Sequence, residues 1–187
     1  ERLGVNVIAQ KAGVSKMLIY RYFGGLDDLI AHYLLSKDYW ANTDIHAIDG
    51  ADVAGSLKRM FREQIVQLRN DVTLRRLCRW ELTTDNENIR QLRDRRERNG
   101  CELIKAVSGF THSHHTDVAA LATILSASIS YLVLIEEQSP TYNGINLRSN
   151  EGWEQVVKGI DLMIDLWIKQ VDELTNGQVN PVDGLTH

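Results

Sequence analysis

The stretch VIAQKAGVSKMLIYRYFGGLDDLI, residues 7–30, has the residue order of two short helices joined by a tight turn. Ala9 is small enough to let a second helix cross close by, and Gly13 can adopt the positive φ that ends a helix. Val14 is expected to fill the corner of the turn, and Ser15 to cap the second helix. The stretch therefore predicts a helix-turn-helix, a motif that places its second helix in the major groove of DNA.

The second helix of this motif, residues 15–23, is rich in basic and aromatic side chains. Ile19 and Phe23 are four residues apart and are expected to face the core, which leaves most other side chains pointing outward. The side chains long enough to reach phosphates or guanine edges are Lys16, Tyr20, Arg21 and Tyr22. Packing of the two tyrosines within the small domain, and simple solvation of the two cations, are the alternatives.

Charge is divided unevenly along the chain. The formal net charge at pH 7 is −4 over 187 residues. Residues 1–25 contain four basic residues and one acidic residue, so they carry +3 and the remainder of the chain carries −7. DNA attracts the basic N-terminal segment and repels the acidic remainder of the protein, which favours one docking orientation.

Residues 4–40 contain IA, AGVS, the aromatic-rich second helix and the start of a following helix in this order. They resemble the DNA-binding signature of the TetR family of bacterial transcriptional regulators, which implies that most of the first helix of that domain is absent from this sequence. The resemblance implies DNA contacts at eight matching positions, which are Asn6, Ser15, Lys16, Met17, Leu18, Tyr20, Arg21 and Tyr22. Leu18 stands where a threonine is common, and Leu26 stands where a lysine usually meets the phosphate backbone. Met17 and Leu18 can instead touch thymine methyl groups.

Helical periodicity continues through the rest of the chain, and no alternation long enough to indicate a strand occurs. We predict an all-α fold with a helix-turn-helix DNA-binding domain at residues 1–42. A helical ligand-binding and dimerisation domain at 43–175 and a polar tail at 176–187 are expected to follow. The expected helices cover residues 5–12, 15–23, 26–40, 53–68, 72–83, 86–107, 116–138 and 149–174, with a loop at 139–150.

The longest stretch without a charge is VAALATILSASISYLVLI, residues 118–135. It is barely long enough to cross a bilayer, and its serines and its flanks without Lys or Arg favour a helix buried in protein over a membrane span. Because this helix and the last one are apolar on two sides, one side can face the core and the other a partner. The resemblance implies that both helices pair with those of a second copy in a four-helix bundle. The predicted interface residues are Leu125, Ile129, Val156, Ile160, Met163, Ile164 and Trp167.

The resemblance also implies that the body binds a small molecule, which releases the DNA. Polar-tipped aromatic residues and small polar residues on apolar helix faces are the candidates for such a pocket. They are Phe61, Ile65, Cys78, Trp80, Glu81, Ser128, Tyr131 and Leu132, with ordinary core packing as the alternative for each. Arginines crowd residues 75–98 among several acidic residues, which indicates a salt-bridged face or, as the alternative, a pocket for an anionic ligand.

Motifs of other protein classes do not occur in the sequence. GxSxG, HExxH, phosphate-binding glycine loops and CxxC are missing, so we predict no enzyme. Cys78 and Cys101 are far apart, which indicates neither a disulfide framework nor a zinc site and favours a reducing cytoplasm. His112, His114 and His115 are interpreted as a polar loop rather than a metal site, and no cofactor is predicted.

The sequence thus predicts a transcriptional regulator that binds double-stranded operator DNA as a homodimer. A repressor released by an unidentified small-molecule effector is the favoured form. The alternative is a helix-turn-helix regulator without a small-molecule ligand, which is either constitutive or controlled by a protein partner.

Overall fold

The computed structural model of the chain describes residues 4–177, which form an all-α fold as predicted. In chain order, its α-helices within these residues are α1 (Val5–Ala12), α2 (Lys16–Phe23), α3 (Leu26–Lys37), α4 (Tyr39–Asn42), α5 (Val53–Asn70), α6 (Val72–Glu81), α7 (Glu87–Thr111), α8 (His115–Ile135) and α9 (Asn150–Gly177). A 3₁₀ turn covers Ile45–Ala47, and a hairpin of strands β1 (Thr141–Tyr142) and β2 (Ile145–Asn146) lies between α8 and α9. The tail predicted at 176–187 falls mostly outside the described residues.

The chain divides into two compact units that do not follow a single break in the sequence. Residues up to 43 form the first unit together with 71–100, whereas 44–70 and the residues from 101 onward form the second. The boundary that we expect between residues 42 and 43 lies one residue before the first of these crossings. The first unit, however, also includes α6 and the beginning of α7, which the contiguous domain prediction placed in the body.

Helix α3 forms the centre of the first unit and contacts α2, α4 and α6. Its buried residues are Ile30, Ala31 and Leu34. Polar contacts add to this packing, since Tyr33 donates a hydrogen bond to the carboxylate of Asp71 at 3.2 Å and Asn88 donates to that of Asp28 at 2.6 Å. Burial, with the nearby Asp71 charge, raises the pKa of Tyr33. The first unit is therefore held together by contacts between residues 38 and 60 positions apart in the sequence.

The prediction of one helix at residues 26–40 is wrong at its C-terminal end, because α3 ends at Lys37. Asp38 has an extended backbone, with φ −67° and ψ 123°. Its carboxylate accepts a hydrogen bond from the Ala41 amide at 2.7 Å, which starts the separate single turn α4. Asp38 thus acts as an N-cap inside a stretch whose apolar period continues without a break.

The core of the second unit is built by α5, α8 and α9, and α5 contacts both of the others. Its buried apolar residues on these helices include Met60, Phe61, Ile65, Leu125, Ile129, Val133, Val157, Ile160 and Ile164. The buried Trp153 at the start of α9 donates a hydrogen bond to the Leu147 carbonyl at 2.7 Å. The Arg69 guanidinium of α5 lies 5.2 Å from the centre of the same indole ring.

The predicted loop at residues 139–150 contains the β1–β2 hairpin, in which Tyr142 pairs with Ile145. The two residues at the tip, Asn143 and Gly144, have positive φ values of 49° and 81°. Asn-Gly is a common dipeptide in hairpin turns that need two left-handed residues. The sequence prediction missed the strands because each is only two residues long, too short to show alternation.

Helix α8 is not buried on all sides by its own chain, so its own chain alone does not supply the burial in protein that the sequence favours. It has the length and composition of a membrane span, a test that core helices of soluble proteins also pass, but only 22% of its apolar stretch is buried. The buried residues Val118, Leu125, Ile129 and Val133 lie on one face. The opposite face is exposed and contains mainly small residues.

Candidate nucleic-acid interface

The turn between α1 and α2 is closed by backbone geometry. Gly13 adopts a left-handed conformation with φ 66°, and the amide of Val14 donates a hydrogen bond to the Ala9 carbonyl at 3.0 Å. Ser15 occupies the N-cap position of α2, as predicted, but its hydroxyl accepts no hydrogen bond from the helix. Val14 does not fill the corner of the turn, because 41% of its surface is exposed. The turn therefore presents Val14 and Ser15 at the surface, next to the first turn of α2.

Helix α2 is attached through one side only. Ile19 is buried, and the Phe23 ring packs edge-on against His32 of α3 with 5.5 Å between ring centres. At 100° per residue, Met17 and Arg21 lie opposite these two anchors. The remaining residues of α2 are exposed, and they are Lys16, Met17, Leu18, Tyr20, Arg21 and Tyr22. The helix thus offers nearly all its functional groups to a partner.

Tyr20 and Tyr22 could either contact DNA or pack within the core of the small domain, and their exposure bears on this choice. Tyr20 is 53% exposed and Tyr22 is 72% exposed. Their rings are therefore not part of the core of the first unit. The other two residues with predicted contacts outside α2, Asn6 and Ser15, are exposed as well.

The junction between α2 and α3 requires a glycine. Gly24 has φ 82°, and its amide donates a hydrogen bond to the Tyr20 carbonyl at 2.9 Å. A Cβ atom on Gly24 would lie 2.7 Å from a carboxylate oxygen of Asp28, so a side chain here would be both strained and crowded. Leu26 begins α3, half-buried, and is followed by Asp27 and Asp28 in the first turn. Position 26 is therefore an apolar leucine, where the family resemblance leads one to expect a lysine.

An ion cluster with buried carboxylates and partly exposed arginines lies on the α6 and α7 side of the first unit. The Arg96 guanidinium donates to both carboxylate oxygens of Glu81 at 3.1 Å and also pairs with Asp38. Arg93 pairs with Glu81 at 3.5 Å. The carboxylates of Glu81 and Asp38 are nearly inaccessible, with 6% and 11% of the side-chain surface exposed. These arginines of the crowded 75–98 region are thus engaged by acidic side chains of the same unit.

The predicted ligand-binding residues fall into both units. In the first unit, Glu81 is held by two arginines, and Trp80 is half-buried. Burial, together with the charge of Glu81, raises the pKa of Cys78 to about 12, so this thiol stays protonated and is a poor nucleophile. In the second unit, Phe61 and Ile65 are buried in the core.

The remaining candidates lie on α8. The Ser128 hydroxyl donates to the Ile124 carbonyl of its own helix at 2.6 Å. Tyr131 is half-exposed and packs edge-on against Tyr142 of the hairpin, with 5.8 Å between ring centres. Leu132 is half-buried. In this structure, therefore, Ser128 and Tyr131 face the surface.

The residues predicted to contact a second copy have two different environments. Leu125, Ile129, Ile160 and Ile164 lie in the core of the second unit. Val156 and Trp167 are half-buried, and Met163 is 43% exposed. The large apolar side chains that α8 and α9 do expose are Ile124, Tyr131, Leu162, Met163, Leu166 and Leu174.

Among the described residues, no group of three or more His, Cys, Asp and Glu side chains is placed to hold a metal ion. His112 adopts a positive φ of 54° after the end of α7, and His114 is the N-cap residue of α8. The side chain of His115 lies outside the described part of the structure.

Comparison with protein-family models gives a match to the N-terminal part of the chain. Residues 1–33 match the family model described as bacterial regulatory proteins, tetR family. The match covers the helix-turn-helix and the beginning of α3, and it indicates a DNA-binding transcriptional regulator. No curated protein and no solved structure gives a significant match to the chain.

Proposed function

We propose that this protein is a sequence-specific transcriptional regulator that reads double-stranded DNA with α2 and represses transcription from the site it occupies. The observation that carries the proposal is the exposed face of α2, which contains two cations and two phenols within a segment that matches a family of regulators. Arginine, lysine and tyrosine side chains of this kind contact phosphates and base edges in the major groove. The residues proposed to make these contacts are Asn6, Ser15, Lys16, Met17, Leu18, Tyr20, Arg21 and Tyr22.

The proposed regulator is a homodimer, because one short recognition helix contacts too little DNA for specific binding. Its second unit supports this proposal, since α8 and α9 expose apolar side chains that a second copy would cover. Burial leaves Ile124, Leu162, Met163 and Leu166 as the central residues of the proposed interface. Small neighbours such as Ala127 allow two helices to approach closely. Ser128 fits the same face, because its hydroxyl is already bonded within the helix and needs no water.

Release from DNA by a small molecule is the favoured form of regulation, and it rests on the resemblance to ligand-controlled regulators. One observation favours the second candidate, a regulator that lacks a small-molecule ligand and is constitutive or answers to a protein partner. Glu81 is already paired with Arg93 and Arg96, and Ser128 is bonded to its own helix. These polar groups are satisfied without a ligand.

Selection of DNA from a random duplex library by the full chain tests the DNA-binding function. We expect an enriched sequence whose two half-sites are about one helical turn apart, and an affinity that falls steeply with added salt. Lys16→Ala or Tyr20→Ala should weaken binding at least about tenfold, whereas Lys158→Ala on the exposed side of α9 should not. Failure to enrich any sequence, or equal binding by all these variants, would exclude the proposal.

The two forms of regulation can be separated with the protein–DNA complex. A cell extract is divided by ultrafiltration into a protein-free fraction of small molecules and a fraction of macromolecules. Release of DNA by the small-molecule fraction supports the ligand-controlled repressor. Release by the macromolecular fraction alone supports the second candidate. Transcription from a promoter that contains the selected site should decrease when the protein is added, and an increase would contradict the repressor assignment.

A further inference from the structure

The exposed face of α2 includes two large apolar side chains in its first turns. Met17 is 76% exposed and Leu18 is 38% exposed. Met17 lies on the side of the helix opposite Ile19, and Leu18 lies next to Met17. Met17 is therefore directed away from the first unit and Leu18 is accessible beside it, in the part of a recognition helix that approaches base edges most closely.

The base edges of the major groove differ in the surface that they offer to such side chains. Purine N7, O6 and N6, cytosine N4 and thymine O4 are hydrogen-bond donors or acceptors, whereas the C5-methyl group of thymine is apolar. Leucine has no polar side-chain atom, and the methionine sulfur is only a weak acceptor. A polar base edge covered by either residue would lose water without gaining a good partner, which is unfavourable. A thymine methyl group loses nothing and gains apolar contact.

Neighbouring residues of α2 can hold these side chains in register with the bases. Lys16 directly precedes Met17, and Arg21 follows it by one helical turn on the same side. Contacts of such cations with phosphates fix the position of a recognition helix but do not by themselves specify a sequence. Where Lys16 and Arg21 contact phosphates, the apolar pair can still contribute sequence selectivity at the first turns of α2.

We propose that Met17 and Leu18 read thymine C5-methyl groups, so that each half-site recognised by this protein contains thymine beneath the first turns of α2. The inference deepens the proposed function and rests on it, because it presupposes that α2 enters the major groove. It assigns a role in base selectivity to two side chains that have no hydrogen-bond donor.

Replacement of thymine by deoxyuridine tests this readout, because uracil lacks only the methyl group. The duplex selected by the full chain is synthesised in both forms, and its affinity is measured by fluorescence anisotropy. We expect the uracil duplex to bind about fourfold more weakly for each methyl group in contact. The variant Met17→Ala/Leu18→Ala should bind both duplexes equally, with an affinity close to that of the unchanged protein for the uracil duplex. Val66→Ala, which shortens an exposed apolar residue of α5, should keep the full discrimination.

Each outcome of this experiment decides between specific statements. Equal binding of both duplexes by the unchanged protein, with sequence selectivity retained, overturns methyl readout and leaves the proposed function standing. Discrimination that persists undiminished in the Met17→Ala/Leu18→Ala variant shows that other residues read the methyl groups, and it also overturns the inference. If no duplex is enriched in the first place, both the proposed function and the inference are excluded.

Discussion

Helices α2 and α8 both leave most of their surface exposed, but they expose different chemistry. Of the eight residues of α2, only Ile19 is fully buried, and the exposed side chains are two cations, two phenols and the apolar side chains of Met17 and Leu18. Only 22% of the apolar stretch of α8 is buried, and its exposed face combines small residues such as Ala120 and Ala127 with apolar ones such as Ile124. Long charged side chains suit a wide polar groove, whereas small apolar ones suit a second helix. The composition of an exposed face thus indicates the kind of partner that covers it.

The largest expected effect separates the two faces by charge. Arg21→Glu removes one cation from α2 and introduces repulsion from DNA, and a dimer would carry the change twice. We expect specific affinity to fall at least about 100-fold, which corresponds to about 3 kcal/mol, with no change in helix content or in oligomeric state. Binding by anisotropy and sedimentation velocity check these points.

The matched control for this charge reversal is Lys158→Glu on α9, where the side chain is also exposed. It should leave DNA affinity within about twofold, because only nearby charges interact strongly at physiological salt. An equal loss in both variants would mean that net charge, and not the α2 face, governs binding.

The second prediction tests the other face. Ala127→Arg places a long cation on the exposed side of α8, where two copies of it would meet across the proposed interface. We expect association to weaken by about 2 kcal/mol or more, because like charges in an interface repel and are costly to desolvate. Sedimentation at micromolar concentration should then show monomers that keep their helix content.

Val66→Arg on α5 is the control for this variant, since Val66 is 57% exposed on another helix. It should leave the dimer intact. A dimer that persists in Ala127→Arg would place the contact between copies away from α8. Loss of the dimer in both variants would instead point to a general charge effect.

A smaller effect is expected from single hydroxyl groups. Tyr22→Phe removes the phenol oxygen from a ring that is already exposed, so the first unit should keep its stability. If the hydroxyl donates to a phosphate, DNA affinity should fall by about 1.5 kcal/mol, roughly tenfold. Tyr131→Phe on α8 removes the same atom from another exposed ring and should leave DNA affinity unchanged. Identical affinities for both variants and the unchanged protein would remove Tyr22 from the proposed contacts.

The sequence predicted α1 and α2 closely because short-range chemistry determines them. Gly13 and Gly24 each adopt the left-handed conformation that ends a helix, and Ile19 alternates with exposed residues at the helical period. The end of α3 was missed because Asp38 can either continue a helix or cap the next one. Its contacts with Arg96, 58 residues away, are invisible in a local pattern.

The orientation of α9 could not be predicted for a similar reason. Its sequence shows two apolar stripes, and periodicity alone does not say which of them faces the core. In the structure, Trp153, Val157, Ile160 and Ile164 face inward, while Leu162, Met163 and Leu166 remain exposed. Two ion pairs favour this rotation, because Lys58 and Arg62 of α5 pair with acidic residues of α9, which are Asp165 and Asp161. Charged residues of α5 thus help to determine which of the two apolar faces of α9 is buried.

The smallest expected effect comes from two helical glycines. A Cβ atom would meet nothing within 4 Å at Gly100 of α7 or at Gly159 of α9, and neither residue has a positive φ. Alanine at either position should therefore stabilise an isolated chain by up to about 1 kcal/mol.

Gly159, however, is exposed one turn before the apolar side chains of Leu162 and Met163. If a second copy packs closely there, Gly159→Ala should weaken the dimer while Gly100→Ala does not. Chemical denaturation and sedimentation of both variants measure the two quantities separately. Equal stabilisation with an unchanged dimer in both would mean that the second copy leaves Gly159 uncovered.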